Sequence, residues 1–164
     1  MAESKKNGAK AAEKGKTLAK RVTINGQYIK DLSFENPQAP KSLFALKERP
    51  QIDIAVDLKA TKMQEHVFEV SIKITSKALS NEVLLFLVEV AYAGIFTLSD
   101  AVKENEEERV LLIDCAQMLF PFLRRIVADV TRDGGFPPLM LDPIDFEGLF
   151  EERKDHIKRQ KAAG

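Results

Sequence analysis

The sequence predicts an α+β fold: a four-stranded antiparallel sheet with a long helix on its inner face and a further helix at the C-terminus. Three observations carry that expectation. Four runs alternate apolar and polar residues with period two, the gaps between the last three are short, and two segments of helical spacing follow the final strand instead of alternating with strands. At 164 residues, 45 % apolar and 30 % charged, the chain is sized for one domain with tails.

Residues 1–21 are built from Ala, Lys, Gly and Glu, with Leu18 the one large apolar side chain after Met1. Folding them would bury little apolar surface to offset chain entropy, so a disordered basic tail is expected. Its net charge of +5 leaves −5 for residues 22–164, because the whole chain sums to zero. The folded part is therefore mildly acidic and suits a basic partner. The tail has no interleaved aromatics and the domain no basic face, so no nucleic-acid partner is expected.

From Val22 the apolar residues Val22, Ile24, Tyr28, Leu32 and Phe34 fall at even positions, with Thr23, Asn25, Gln27, Asp31, Ser33 and Glu35 between them. This is the pattern of a half-buried strand. The segment Asn36 to Pro50 holds three prolines beyond which no period is sustained, so it reads as a long crossover loop, although it carries Leu43, Phe44 and Leu46. Three more strands follow: Ile52, Ile54, Val56, Leu58; Phe68, Val70, Ile72, Ile74; and Leu84, Phe86, Val88, Val90, Tyr92. Short turn-compatible gaps (Thr61 to His66, Ala78 to Asn81) make them an antiparallel meander, one face buried and the other wet.

About Glu106 to Arg132 is helical by spacing, with Asp133-Gly134-Gly135 as its stop and a kink expected at Pro121. Its polar stripe is narrow (Asp114, Gln117, Arg125, Asp129), while residues such as Leu112, Met118, Leu119, Phe122 and Leu123 cover the rest. One sheet covers one side of such a helix, so a second sheet from another copy of the chain is expected on the other side, with wrapping by the chain's own loops as the alternative. A proline-punctuated connector, Phe136 to Pro143, leads to a helix from Asp145 to about Gln160, with Phe146, Leu149, Phe150 and Ile157 on one face and Asp142 or Asp145 as its cap.

The chain offers little to catalysis. His66 and His156 have no cysteine or carboxylate at a metal-ligand spacing, no phosphate-binding glycine loop or nucleophile elbow occurs, and Cys115 sits mid-helix among apolar residues that would raise its pKa. The carboxylate pairs Asp53 with Asp57 and Glu82 with Glu89 fall on wet strand faces without the burial that tunes a general acid. No catalytic residue, metal or cofactor is expected. No run approaches the roughly 20 apolar residues of a membrane helix, the N-terminus has no apolar region behind its lysines, and a single cysteine excludes an intrachain disulfide; a cytoplasmic protein not inserted in the membrane is expected. What the alternation does place on the wet odd-numbered face is a mixture of Asp31 and Glu35 with Val83, Leu85, Leu87 and Glu89. Apolar residues ringed by carboxylates read as a docking patch for a basic partner, unless another segment covers the leucines.

The runs KDLSFE (Lys30 to Glu35) with NPQAP (Asn36 to Pro40), FLVEV with AGIF (Phe86 to Phe96), LFPFLRR (Leu119 to Arg125) and GGFPPLMLDPIDFEGLF (Gly134 to Phe150) together resemble the SecB family of protein-export chaperones. Four motifs in order cover about residues 22–150, which the resemblance makes the chaperone domain, with 151–164 as the end of the terminal helix and a tail. It implies a SecB-like homotetramer, a dimer of dimers with long helices between two eight-stranded sheets. It further implies an ATP-independent holdase that keeps secretory precursor polypeptides unfolded in the cytoplasm and delivers them to the SecA motor for translocation. A SecB-like chaperone devoted to one client, such as an antitoxin, is the alternative. In that family the basic zinc-bearing tail of SecA docks on the acidic outer sheet face, where the matching residues are Asp31, Glu35, Leu87 and Glu89. Phe86, Val88, Val90 and Tyr92 match positions tied to tetramer assembly, with Met118 and Phe122 on the helix between the sheets. Client grooves between crossover loop, second strand and terminal helix would recruit Phe44, Leu46, Ile52, Ile54, Leu149 and Phe150. The family usually has a tryptophan in the crossover loop ahead of its proline; here the loop reads KERP (Lys47 to Pro50) and the chain has no Trp.

Overall fold

The computed structural model describes residues 21–44 and 49–162; the expected basic tail, apart from Arg21, and Leu46 of the crossover loop lie outside the described residues. Four strands form one antiparallel sheet in the order β1-β4-β3-β2: β1 (Val22–Glu35), β2 (Gln51–Gln64), β3 (Val67–Ser80) and β4 (Val83–Leu98). The crossover after β1 carries a short helix, α1 (Lys41–Phe44), and leads to β2 at the far edge of the sheet; the last three strands make the expected meander, which brings β4 back beside β1. The strands outrun their apolar alternation, since β2 continues through exposed Thr61 to Gln64 and β4 through Leu98. Ladder hydrogen bonds need only backbone, so the turns shrink to Glu65-His66 and Asn81-Glu82, with His66, Asn81 and Glu82 at positive φ.

Burial follows the predicted parity on β3 and β4. Val70, Ile72, Ile74, Val88, Val90 and Phe96 point to the inner face and are sealed from solvent. Each such side chain contributes about 1.5–3 kcal/mol of apolar transfer free energy. On β1 the parity breaks. Register shifts between Ile24 and Gly26 and between Ile29 and Asp31 insert one extra residue each, so Gln27 and Ile29 take the inner face opposite Gly94 and Tyr92, and Tyr28 moves to the outer face opposite Ala93. The second bulge restores the original parity for Leu32 and Phe34. The even-numbered reading of β1 is thus correct for Val22, Ile24, Leu32 and Phe34 and wrong for Tyr28.

The helical segment runs from Glu104 to Asp133 in three pieces: α2 (Glu104–Arg109), a π-helical turn (Val110–Cys115) and α3 (Ala116–Asp133). Pro121, where a kink was expected, lies on an exposed side within α3; the departure from α geometry is the wide turn ahead of it. In that turn Val110, Leu111, Leu112, Ile113 and Cys115 are all buried. Burial around so much of the circumference is met here inside the chain, by β2 and β3 on one side and the terminal helix α4 (Phe146–Ala162) on another. Along α3 the sheet buries Leu119, Leu123, Ile126 and Val127, while Phe122 stays 44 % exposed beside half-buried Met118.

The connector after α3 is pinned by side chains. Thr131 Oγ donates to the Val127 carbonyl at 2.9 Å and accepts the Leu139 N–H at 2.9 Å, a fully buried hydroxyl with both roles filled. Gly134 packs against Phe34 so closely that a Cβ there would meet the ring at 2.2 Å, and Gly135 takes φ +88 against Leu43. Asp145 caps α4, its Oδ1 accepting the Gly148 N–H at 2.9 Å. Phe146 is buried edge-on to Phe120, with ring centroids 6.0 Å apart.

Candidate functional site

Two surfaces lie on opposite sides of the sheet. On the inner side, beyond the reach of α3, β2 and α4 flank an open groove of about 420 Å³. Val56 and Leu58 form its floor with Leu112 of the π turn, Leu149, Phe150 and Ile157 form the helical wall, and Asp57, Arg153 and His156 stand at its rim. The floor exists because β2 continues its even-numbered alternation past the part of the sheet that the helix covers. The wall exists because Phe146 and Phe150 anchor one face of α4 while Ile157 remains partly exposed. Lys154 Nζ sits 4.7 Å from the Phe150 ring centroid, and the Arg109–Glu147 ion pair joins α2 to the first turn of α4. A second hollow of about 280 Å³ shares Leu112 and Arg153 with the first, and there Ala60, Phe68 and Leu111 are rimmed by Glu104, Glu107 and Glu108.

Of the residues expected at a client groove, Leu149 and Phe150 line this one. Ile52 and Ile54 share its strand and face but lie nearer the start of β2, opposite Ala78 and Ser76; Ile54 is 46 % exposed. Phe44, at the end of α1, is 87 % exposed and outside the groove. Its helix is held by the Ser42 hydroxyl, which donates to Asn36 Oδ1 at 2.9 Å. Sequence reasoning missed Leu58, Val56 and Ile157 as groove residues although their spacing was visible; Leu112 and Arg153 had no such signal.

On the outer side, the β1–β4 register sets Glu35 opposite Leu87, Ser33 opposite Glu89 and Asp31 opposite Ala91, which gathers Asp31, Glu35, Leu87 and Glu89 into one patch. Asp31 and Glu35 are exposed, whereas Glu89 is shared with β3: Lys73 Nζ lies 3.5 Å away and Thr75 Oγ donates at 3.3 Å. Val83 and Leu85 leave this face. A register shift makes Leu85 an extra residue of β4 between Leu84, opposite Leu79, and Phe86, opposite Ala78, so odd-numbered parity ends there. Leu85 is buried beside Gln38, Lys41 and Ser42 of the crossover, so a segment other than the terminal helix covers it.

Further along the same outer face, Glu69 accepts hydrogen bonds from Lys30, at 2.5 Å, and from Tyr28. The Lys30 ammonium first, then the phenol, hold the Glu69 carboxyl below its ordinary range, and the hydrogen bond to that carboxylate, with burial, pushes Tyr28 up to about 12. Tyr28 reaches Glu69 because the β1 bulges turn it outward.

Phe86, Val88, Val90 and Tyr92 lie in the chain's own core. Phe86 packs 5.9 Å from Phe34 and 4.9 Å from Phe136 by ring centroids. Tyr92 stacks on Phe122 at 6.1 Å, and its hydroxyl donates to Gln27 Oε1 at 3.2 Å. The exposed Phe122 and half-buried Met118 continue onto Ile24, Ile29 and Leu32, partly exposed on the inner face of β1. Burial and Asp114 push the Cys115 thiol up to about 12, which keeps it protonated and inert. Among the described residues no group of three or more His, Cys, Asp or Glu is placed to hold a metal ion, and no helix is long and apolar enough to cross a membrane.

An apolar groove on one side of a sheet and a leucine-bearing acidic patch on the other give this α+β fold two separate surfaces, each with the chemistry to dock a polypeptide. The family model of the preprotein translocase subunit SecB matches residues 15–157, and the chain belongs to the SecB family. It is 47 % identical over 161 residues to the protein-export protein SecB of Parvibaculum lavamentivorans, covering 98 % of this chain and 92 % of that one. It is 46 % identical over 152 residues to the protein-export protein SecB of Maricaulis maris, covering 93 % and 87 %. Its fold is similar to the SecB-like chaperone Rv1957 of Mycobacterium tuberculosis, solved in complex with a ChAD peptide from the Rv1956 HigA1 antitoxin. That match has a TM-score of 0.64 at 20 % identity and covers 79 % of this chain and 96 % of that one.

Proposed function

We propose that the chain is an ATP-independent holdase of the cytoplasm, without catalytic activity, that keeps secretory precursors unfolded and delivers them to SecA. The observation that carries this reading is the separation of the two surfaces in a chain of the SecB family: the groove between β2 and α4 is on the inner side, and Asp31, Glu35, Leu87 and Glu89 are together on the outer side. An apolar groove selects by burial alone, at about 25 cal/mol per Å² of apolar surface. It binds unfolded chains of many sequences and releases folded ones, whose apolar residues are hidden. A carboxylate-rimmed leucine on the far side takes a basic partner without competing for the groove.

The active form in this reading is a homotetramer, a dimer of dimers. The apolar band of Ile24, Ile29, Leu32, Met118 and Phe122, left partly open by the single chain, supports it. Phe86, Val88, Val90 and Tyr92 act by backing the helix from below.

Calorimetry with the basic C-terminal tail peptide of SecA tests the outer patch. Asp31→Lys and Glu89→Lys are expected to weaken binding by about tenfold at low salt, less at high salt, with capture of an unfolded protein unchanged. Unchanged affinity in both variants overturns the assignment.

A further inference from the structure

We propose that the outer patch has a resident occupant, the chain's own basic N-terminal segment, which folds back over β1 and must be displaced before a basic partner docks. The proposal rests on the patch being the docking site for such a partner and adds what covers it beforehand.

A surface suited to a basic peptide accepts any basic peptide within reach, and this chain carries one. Residues 1–20, outside the described residues, hold six lysines against two glutamates and join the fold at Arg21. Two contacts fix that point of departure. The Arg21 carbonyl accepts the Ser99 N–H at 2.9 Å, at the end of the β1–β4 ladder, and its guanidinium pairs with Glu106 of α2 at 2.8 Å. From Val22, Asp31 lies nine residues along β1 and Glu35 thirteen, about 30 and 43 Å at about 3.3 Å per residue. Lys10 and Lys6 precede Arg21 by eleven and fifteen residues. With about two residues spent on the reversal, a segment turned back along β1 brings Lys10 level with Asp31 and Lys6 level with Glu35. Lys14, seven residues before Arg21, spans at most about 24 Å before any reversal and falls short, as do Lys16 and Lys20.

Charge selects this destination over nearer ones. Among the described residues Asp31 and Glu35 have no ion-pair partner, whereas Glu89 already holds Lys73. The carboxylates of α2 stand closer to Arg21 but have cations among them: Arg21 on Glu106, Arg153 beside Glu108, and Lys62 across the smaller hollow from Glu104 and Glu107. On the far flank of the patch the exposed Lys77, opposite Leu87, turns a basic segment back toward β1. Tethering completes the case, because an attached segment acts at an effective concentration on the order of 1 mM. The run KKNGAK (Lys5 to Lys10) has no large apolar residue, so it neutralises the carboxylates and leaves Leu87 unfilled. Exposed charge pairs are individually weak and screened by salt. A partner that brings an apolar anchor as well as cations therefore displaces the segment, and a merely basic peptide does not.

Calorimetry of the full chain with the SecA tail peptide tests the cover. Combined Lys5→Gln, Lys6→Gln and Lys10→Gln changes are expected to tighten the peptide by about threefold at low salt, with the difference gone at high salt. Combined Lys14→Gln, Lys16→Gln and Lys20→Gln changes remove the same charge from positions that cannot reach the patch, and are expected to leave the affinity unchanged. Equal tightening by both sets, or none by the first, overturns the proposal. Carbodiimide cross-linking of the unmodified chain, read by mass spectrometry, locates the segment. Links from Lys5, Lys6 or Lys10 to Asp31 or Glu35 are expected, and they should disappear when the peptide is added. Links from these lysines to Glu104 or Glu107 instead, or links that join isotope-labelled to unlabelled chains, assign the segment to α2 or to a second copy and overturn it. A peptide affinity that Asp31→Lys leaves unaltered removes the docking reading itself, and the cross-links still decide whether the segment covers the patch.

Discussion

Beneath α3, the inner face of the sheet is a dry surface of Ile72, Ile74, Val88 and Val90, whereas the outer face is a lattice of side chains paired in sight of water: Glu69 with Lys30 and Tyr28, Glu89 with Lys73 and Thr75. One backbone carries both because a strand's side chains alternate. The inner face leaves part of its apolar surface uncovered, at the β2 margin where α3 does not reach. The outer face leaves the carboxylates of Asp31 and Glu35 exposed. The two surfaces are chemically independent and mechanically joined, since any loss of the shared core must disable both while a change on either surface should disable one.

The largest effect is expected at the join. Leu119, fully buried between α3 and the sheet, truncated to Ala should cost about 3 kcal/mol of stability in urea denaturation and weaken both binding activities together. Loss of one activity alone in a variant still folded would break the comparison. A smaller, one-sided effect is expected for Ile157→Asp on the partly exposed rim of the groove. Capture of an unfolded protein should fall about tenfold, while the urea midpoint and the affinity for the SecA tail peptide stay within error.

The smallest effect sharpens the outer face. Glu69 titrates below its ordinary 4.5, so its stabilisation is present above that pH and is lost as pH falls through the lowered value. Tyr28, raised from 10.0 to about 12, stabilises below pH 10 and loses that contribution as pH climbs toward 12. Glu69→Gln should therefore cost up to about 1 kcal/mol between these limits and make stability less dependent on pH at both ends. A stability profile against pH that is unchanged in the variant would remove the cluster's role.

The four strands, their order of appearance, the meander and both helices were legible in the sequence, because burial imposes period two on a sheet and period 3.6 on a helix. Local departures were not. Tyr28 looked apolar and even-numbered, yet a bulge on either side sends it outward, and nothing in the composition of Asn25 or Lys30 announces a bulge. Leu85 looked like an exposed leucine until a third register shift and the crossover buried it. The groove was half legible: helical spacing put Leu149 and Phe150 on one face and the family resemblance put that face at a groove, but Leu112 entered it through a π turn whose residues read as ordinary helix, and Arg153 through a contact with a carbonyl 95 positions away.

By itself, the sequence determined which residues must hide and with what periodicity, since transfer from water acts on each side chain wherever the chain runs. It also determined the family, through four ordered motifs. Tertiary structure alone decided the register, hence which odd-numbered residues share the outer patch, and how far α3 reaches across the sheet, hence where β2 stays open. Those depend on pairing between strands and on helix placement, which are relations among distant residues and have no period of their own.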